Sequence, residues 1–213
     1  GAKPLYVKKC IKSWKKYFPD YLIVEWNERN FDINSNNFTK YYYSIKKYAF
    51  VADYIRFYAL YKYGGLYMDT DVLVLKNFEF LLNQSFMCEE NHGHVNIAVI
   101  NVSKNDSLCK KMLARLNDYD NKHEFRCGST LFIFSQEFPK YKNRYAVYPS
   151  YYFYPKRWNW PYSEHYKNQN TVAEHLYKGS WKKRKLSLRL IIRFIFSKLI
   201  GLKNYDILLK KLR

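Results

Sequence analysis

Two carboxylates spaced one residue apart, Asp69-Thr70-Asp71, lie between two short apolar runs, Leu66-Tyr67-Met68 and Val72 to Leu75. Burying such a pair of like charges is unfavourable unless a cation holds them. Hard oxygen ligands suit Mg2+ or Mn2+, and such ions are typically shared with phosphates. Two exposed turn acids are the ordinary alternative for a D-x-D. Asp53 and Arg56 stand three residues apart, so a helix would put them on one face. A plain ion pair is the bland reading of that spacing. His175 has a neutral imidazole nitrogen to offer as a third ligand, or is a satisfied core histidine. No Ser–His–Asp arrangement, P-loop or G-x-G-x-x-G occurs.

The elements that must position these groups are legible around them. Ala52, Ile55, Ala59, Leu60 and Tyr63 recur at a helical period, and Gly64-Gly65 follows where a helix would stop and the chain turn. Leu66 to Leu75 reads as strand carrying the two acids. Earlier, Leu5 to Phe18 is predicted as an amphipathic helix, Tyr21 to Trp26 as a strand, residues 27–40 as loop and Tyr41 to Tyr48 as a short helix. Later, a strand is expected at Phe86-Met87-Cys88, another at Val95 to Val102, and a helix at Ser107 to Leu116 with Asp106 near its start. Thr130 to Ser135 is apolar and fits either state. Tyr145 to Tyr154 is β-prone, and Thr171 to Tyr177 extended. Strands alternating with helices imply an α/β layered domain with a largely parallel sheet, whose ligand lies beyond the strand ends.

With 213 residues, 48% apolar and 20% aromatic, the chain has ample material for a core. The 23 tyrosines, with many Lys and Asn, read as compositional drift. Four scattered cysteines without CxxC spacing speak against zinc or a disulfide framework, and for reduced thiols in a cytosolic setting. The opening Gly1-Ala2-Lys3-Pro4 is no signal peptide, and an upstream piece is expected. The formal charge of +19 suggests a polyanionic partner. About a third of the basic residues follow Trp181, beside the apolar run Leu186 to Leu202. There Arg189, Arg193 and Ser197 recur every four residues, which on a helix makes one basic face. Two arginines near the centre argue against a spanning helix; a basic amphipathic helix on an anionic membrane surface fits better than nucleic acid. The expected organisation is a domain over residues 1–181 and a membrane-surface tail over 182–213.

With these residues in view, the chain resembles the family 32 glycosyltransferases, DXD-containing enzymes of the GT-A fold. The likeness is carried by Ala49-Phe50-Val51-Ala52-Asp53, Arg56, Tyr61-Lys62-Tyr63-Gly64-Gly65-Leu66-Tyr67 and Asp69-Thr70-Asp71. D-x-x-R followed by GG-x-Y-x-D-x-D is far more specific than a lone DXD. The opening helix and strand, the Asn96 strand and the ending His175…Gly179-Ser180-Trp181 are also similar, so the likeness covers most of residues 1–181 and not the tail. Such enzymes begin with a strand whose aromatic residue helps hold the nucleotide base; here the chain starts just after that strand should end. The expectation is a sheet with one unpaired edge.

The resemblance implies a sugar transfer from a nucleotide-sugar donor, UDP- or GDP-linked, with Mn2+ or Mg2+ at Asp69, Asp71 and His175. The metal bridges the two phosphates and neutralises the leaving diphosphate. It implies that Asp53 accepts from donor-sugar hydroxyls and that Arg56 pairs with sugar or diphosphate. Gly65 and Tyr67 belong to the binding motif, with the glycines turning under the metal site. Asn96 is implied to contact a sugar, and Ser180 and Trp181 to close over the diphosphate. Glu89, Glu90, His92 and His94 read as a solvated loop that could shape an acceptor site. Arg157, Trp158 and Trp160 read either as a platform for a sugar face or as packing. Transfer with retention onto a bacterial surface glycan, lipid-carried, is expected, at the cytoplasmic inner face of the membrane. An inactive membrane-surface binding protein and a metal-dependent phosphohydrolase are the competing readings.

Overall fold

The computed structural model describes residues 2–91, 93–118, 129–156 and 167–178. In chain order its elements are α1 (Leu5–Tyr17), α2 (Asn37–Ser44), α3 (Tyr48–Tyr63), β1 (Gly65–Met68), β2 (Val72–Val74), β3 (Phe86–Asn91), β4 (His94–Val102), α4 (Ser107–Asn117), α5 (Ser129–Glu137), β5 (Ala146–Tyr148) and β6 (Ala173–His175). The domain is mixed α/β, a sheet flanked by helices.

Helix α3 is central. Val51, Tyr54, Ile55, Phe57, Ala59 and Leu60 are buried, with Arg56 among them. A helix apolar on so much of its circumference is a core helix, and α2 and α4 both pack against it. Good caps start its two neighbours. Asn36 accepts from Thr39 N at 2.9 Å ahead of α2, and Asp106 accepts from Cys109 N at 2.9 Å ahead of α4.

The main sheet runs β1-β4-β3-β5. It is not largely parallel: β1–β4 and β3–β4 are antiparallel, and only β3–β5 is parallel. The cause is a hairpin. Glu89, Glu90 and His94, expected in a solvated loop, belong to the paired ends of β3 and β4, and Gly93 between those strands has φ +82°. A tight turn can join only antiparallel neighbours. β2 and β6 form a separate antiparallel pair.

Residues 21–26 are not a strand either. Among the described residues no strand pairs with them, and Leu22 is 89% exposed. A β-prone sequence becomes a strand only where a partner supplies the ladder. Trp26 instead sets its ring against Tyr58 and Tyr63 of α3.

The core lies on both faces of the main sheet. On one, Ile97, Ile100 and Val102 of β4 meet α3, α4 and α5; on the other, Ala98 and Val99 meet Cys10, Trp14, Val72, Val74 and Phe153. Cys10, Cys88 and Cys109 are free and buried. Among the described residues no helix is long and apolar enough to cross a membrane. The tail, 182–213, lies outside the described residues.

Candidate functional site

The site forms where β1 ends. Asp69 N donates to Ala98 O of β4 at 2.8 Å, extending the ladder by one residue, and Val72 N returns to Asp69 O at 3.0 Å. That turn carries the chain from the main sheet to β2. Trp14 of α1 then pins β2, its indole Nε1 donating to Val72 O at 2.8 Å.

The pairing of β2 with β6 sets Val72 opposite His175. It therefore brings His175 beside Asp71, with Nε2 at 3.1 Å from Asp71 Oδ1. The backbone makes the same connection: Leu176 N donates to Asp71 O at 2.9 Å, and Lys178 N to Asp71 Oδ2 at 2.8 Å. Asp69, Asp71 and His175 each present a ligand atom, all within 4.8 Å of one another.

These three residues fit a divalent cation. Two neighbouring ligands on an octahedral ion with bonds near 2.1 Å stand about 3 Å apart, close to the Nε2–Oδ1 separation seen. His175 Nδ1 is buried with no hydrogen-bond partner among the described residues. Nε2 can donate to Asp71 Oδ1 across that distance, and with its proton on Nδ1 instead the ring would offer the Nε2 lone pair to a cation held between them. Burial raises the Asp71 carboxyl, but His175 and the N–H of Lys178 outweigh it and hold it below the ordinary carboxylate value.

Arg56 organises the other side. Its Nη2 donates to Asp69 Oδ1 at 2.9 Å and reaches Asp53 Oδ1 at 3.1 Å. Tyr67 lies under the guanidinium, 4.8 Å from its carbon to the ring centre, and gives its hydroxyl to the same Asp69 oxygen at 2.8 Å. Both of these bonds to Asp69 fall on Oδ1, which leaves Oδ2 for a further ligand. Burial works against the Arg56 charge, and Asp69 and Asp53 more than restore it. Burial likewise raises the Tyr67 phenol, so it stays a donor. Asp53 is the strained partner: burial pushes its carboxyl above the ordinary value despite Arg56 and the Thr130 hydroxyl.

The structure thus joins Asp53, Arg56, Tyr67, Asp69, Asp71 and His175 in one constellation. Asn96 stands next to it in a network of its own: Nδ2 donates to Glu90 Oε2 at 2.9 Å, and Oδ1 accepts from Ala98 N at 2.8 Å. Tyr154 connects the two groups, its hydroxyl 3.4 Å from Asn96 Oδ1 and its ring edge-on to His175. Gly65 is placed differently from the expectation. It begins β1, four residues or roughly 13 Å of strand from Asp69. The glycines turn the chain into β1, not under the acids. Gly64 explains the pair, since its φ is +72° and a Cβ there would stand 2.5 Å from Lys104 N. Ser180 and Trp181, like His92, Arg157, Trp158 and Trp160, lie outside the described residues.

Sequence reasoning missed Thr130, whose hydroxyl donates to Asp53 Oδ2 at 2.7 Å from 77 residues away. It also missed Tyr154 and Glu90 as partners of Asn96. No local signal marks any of them, because strand pairing and helix packing bring them there.

Residues 4–89 match the family model described as a glycosyltransferase sugar-binding region containing the DXD motif. The chain carries such a region. The solved structure of the PaToxG glycosyltransferase aligns with a TM-score of 0.50 at 17% identity, over 66% of this chain and 64% of that one. At that identity the likeness speaks for the fold, and the alignment spans less than two thirds of that protein's length. No curated protein matches the chain. The matched region is thus of the DXD glycosyltransferase type, and the fold is similar to that of a glycosyltransferase.

Proposed function

We propose that this protein transfers a sugar from a UDP- or GDP-sugar donor to a bacterial surface-glycan acceptor, lipid-carried, using Mn2+ or Mg2+ held by Asp69, Asp71 and His175. The carrying observation is the clustering of those three ligand groups within 4.8 Å, with Arg56 tying Asp69 to Asp53. A divalent ion bound there would neutralise the diphosphate that leaves as the anomeric C–O bond breaks.

The chain's own residues do the rest. Arg56 and Tyr67 hold Asp69 in one orientation before any ligand arrives, so little reorganisation is needed on binding. Asp53 keeps an acceptor surface for sugar hydroxyls. Arg56 keeps positive charge beside the developing negative charge of the leaving group. Asp53 is engaged by Arg56 and Thr130, which makes it a poor nucleophile. That favours front-face transfer with retention, in which a diphosphate oxygen takes the acceptor's proton. Ser180 and Trp181 are assigned to closure over the diphosphate in this reading.

The charge of +19 and the basic tail favour an anionic membrane surface over nucleic acid. The reading therefore includes a peripheral position on the inner face of the membrane, with residues 1–181 as the transferase domain and 182–213 as the membrane contact.

A thermal-shift screen of UDP- and GDP-sugars, with and without Mn2+, tests it. Stabilisation of several degrees by one nucleotide class, only with the metal, is the expected result. Donor hydrolysis without transfer under every acceptor tried would favour the phosphohydrolase. No response to any nucleotide removes the reading.

A further inference from the structure

Asp53 belongs to α3, yet part of its environment comes from α5. Thr130 is the second residue of α5 and only 2% exposed. A buried hydroxyl must find an acceptor. A helical threonine ordinarily donates to the carbonyl one turn back. The Thr130 hydroxyl instead reaches Asp53 Oδ2 at 2.7 Å. Arg56 Nη2 holds the other oxygen, Oδ1, at 3.1 Å. The Asp53 carboxylate is gripped at both oxygens, by two groups on two different helices, and cannot rotate without losing one of them.

A carboxylate offers about four acceptor positions. Among the described residues one is used on each oxygen, which leaves about two for a ligand. What remains is acceptor-only and suits hydroxyl groups; it repels phosphate.

We propose that Thr130 is a positioning residue for the donor sugar: it fixes the carboxylate plane of Asp53 so that the remaining lone pairs of both oxygens meet sugar hydroxyls. The proposal rests on the glycosyl-transfer reading of Asp53. It separates the labour of the site in two. The Asp69–Asp71–His175 side serves the diphosphate, and the Asp53–Thr130 side serves the sugar. Thr130 acts on sugar recognition and leaves nucleoside diphosphate binding alone.

The test uses Thr130→Val, which keeps the shape and removes the hydroxyl, and Thr130→Ser, which keeps the hydroxyl. Kinetics are measured with UDP-glucose, UDP-galactose and GDP-mannose, and UDP and GDP binding is measured by calorimetry, all with Mn2+. For the donor that is used, T130V raises KM or lowers kcat/KM about tenfold, T130S stays within about twofold, and both bind the nucleoside diphosphate as the parent does. A merely structural role would weaken both ligands together. Crystal structures of the two variants read the Asp53 rotamer directly: it turns in T130V and holds in T130S. An unmoved Asp53 in T130V, or equal loss of nucleoside diphosphate and sugar recognition, overturns the proposal. If the parent protein binds no nucleotide, the glycosyl-transfer reading fails, and the rotamer in T130V still decides whether Thr130 positions Asp53.

Discussion

Arg56 meets Asp69 at 2.9 Å, and the two sit at opposite ends of a helix–turn–strand unit only thirteen residues apart in sequence. The Arg56 side chain is 7% exposed, whereas those of Asp69 and Asp53 keep about a quarter of their surface in solvent. Its charge offsets the two carboxylates gathered around it. Arg56→Ala leaves them facing each other uncompensated. The expected loss is about 3 kcal/mol, the low end for a broken buried pair because both acids are partly hydrated. Urea unfolding measures it. Adding Asp53→Asn should recover part of the loss, since one of the two like charges is then gone; a double variant no more stable than R56A contradicts this account.

Asp71→Asn and His175→Ala test the metal site. Both should fold, and Mn2+ affinity read by electron paramagnetic resonance should fall more than about 100-fold, beyond the loss typical of an outer-shell change. Tyr67→Phe removes only the hydroxyl that steadies Asp69, and should fall in the 10- to 100-fold range roughly expected of such support. Equal Mn2+ binding by D71N and the parent protein would remove these residues from the site.

The two glycines separate by environment. Gly64→Ala meets both a positive φ and the backbone of Lys104 at 2.5 Å, while Gly65→Ala has a positive φ and nothing within 4 Å. The three atoms a Cβ at Gly64 would meet, on Val102, Ser103 and Lys104, are all backbone, so the backbone itself must shift. G64A should cost about 3 kcal/mol and G65A about 1 kcal/mol, measured as the difference in unfolding free energy. If G65A is the more damaging, the close approach to residues 103–104 is not what fixes this turn.

The parts of the site readable in the sequence are those whose partners are near in the chain. Asp53, Arg56, Tyr67, Asp69 and Asp71 span one helix, one turn and one short strand, so their spacing already dictates which faces they share. Helices α1, α3 and α4 were legible for the same reason, as periodic runs with stops and caps. The sheet was not. Direction depends on connections, and the hairpin at Gly93 was hidden in a polar stretch, EENHGHV, that looks like loop by composition. Residues 21–26 show the reverse error: β-prone side chains without a ladder partner. Thr130 and Tyr154 reach the site through packing across 77 and 58 residues, a distance no local pattern reports. His175 is an intermediate case. Its residue type pointed to a ligand, but only the β2–β6 register puts it next to Asp71.

Glu174 neighbours His175 on β6 and gives the protein an acid-sensitive joint. Its side chain is 4% exposed, and its two oxygens meet Lys156 at 2.5 Å and Lys167 at 2.7 Å. Burial raises the carboxyl, but the two lysines outweigh it and hold it below its ordinary value near 4.5. A folded pKa below the unfolded one means that the ionised group stabilises the fold above the ordinary value, and that this contribution fades as pH falls through the folded value. At pH 7, Glu174→Gln should lose about 2 kcal/mol, the scale of buried charge-assisted hydrogen bonds. On acidification below that ordinary value, near 4.5, the parent protein should lose stability faster than E174Q, and the gap between them should narrow. Chemical denaturation of both proteins from pH 7 down to pH 3 reads the difference directly. A gap that stays constant across that range would mean that the Glu174 carboxylate does not gain its stability from the charges of Lys156 and Lys167.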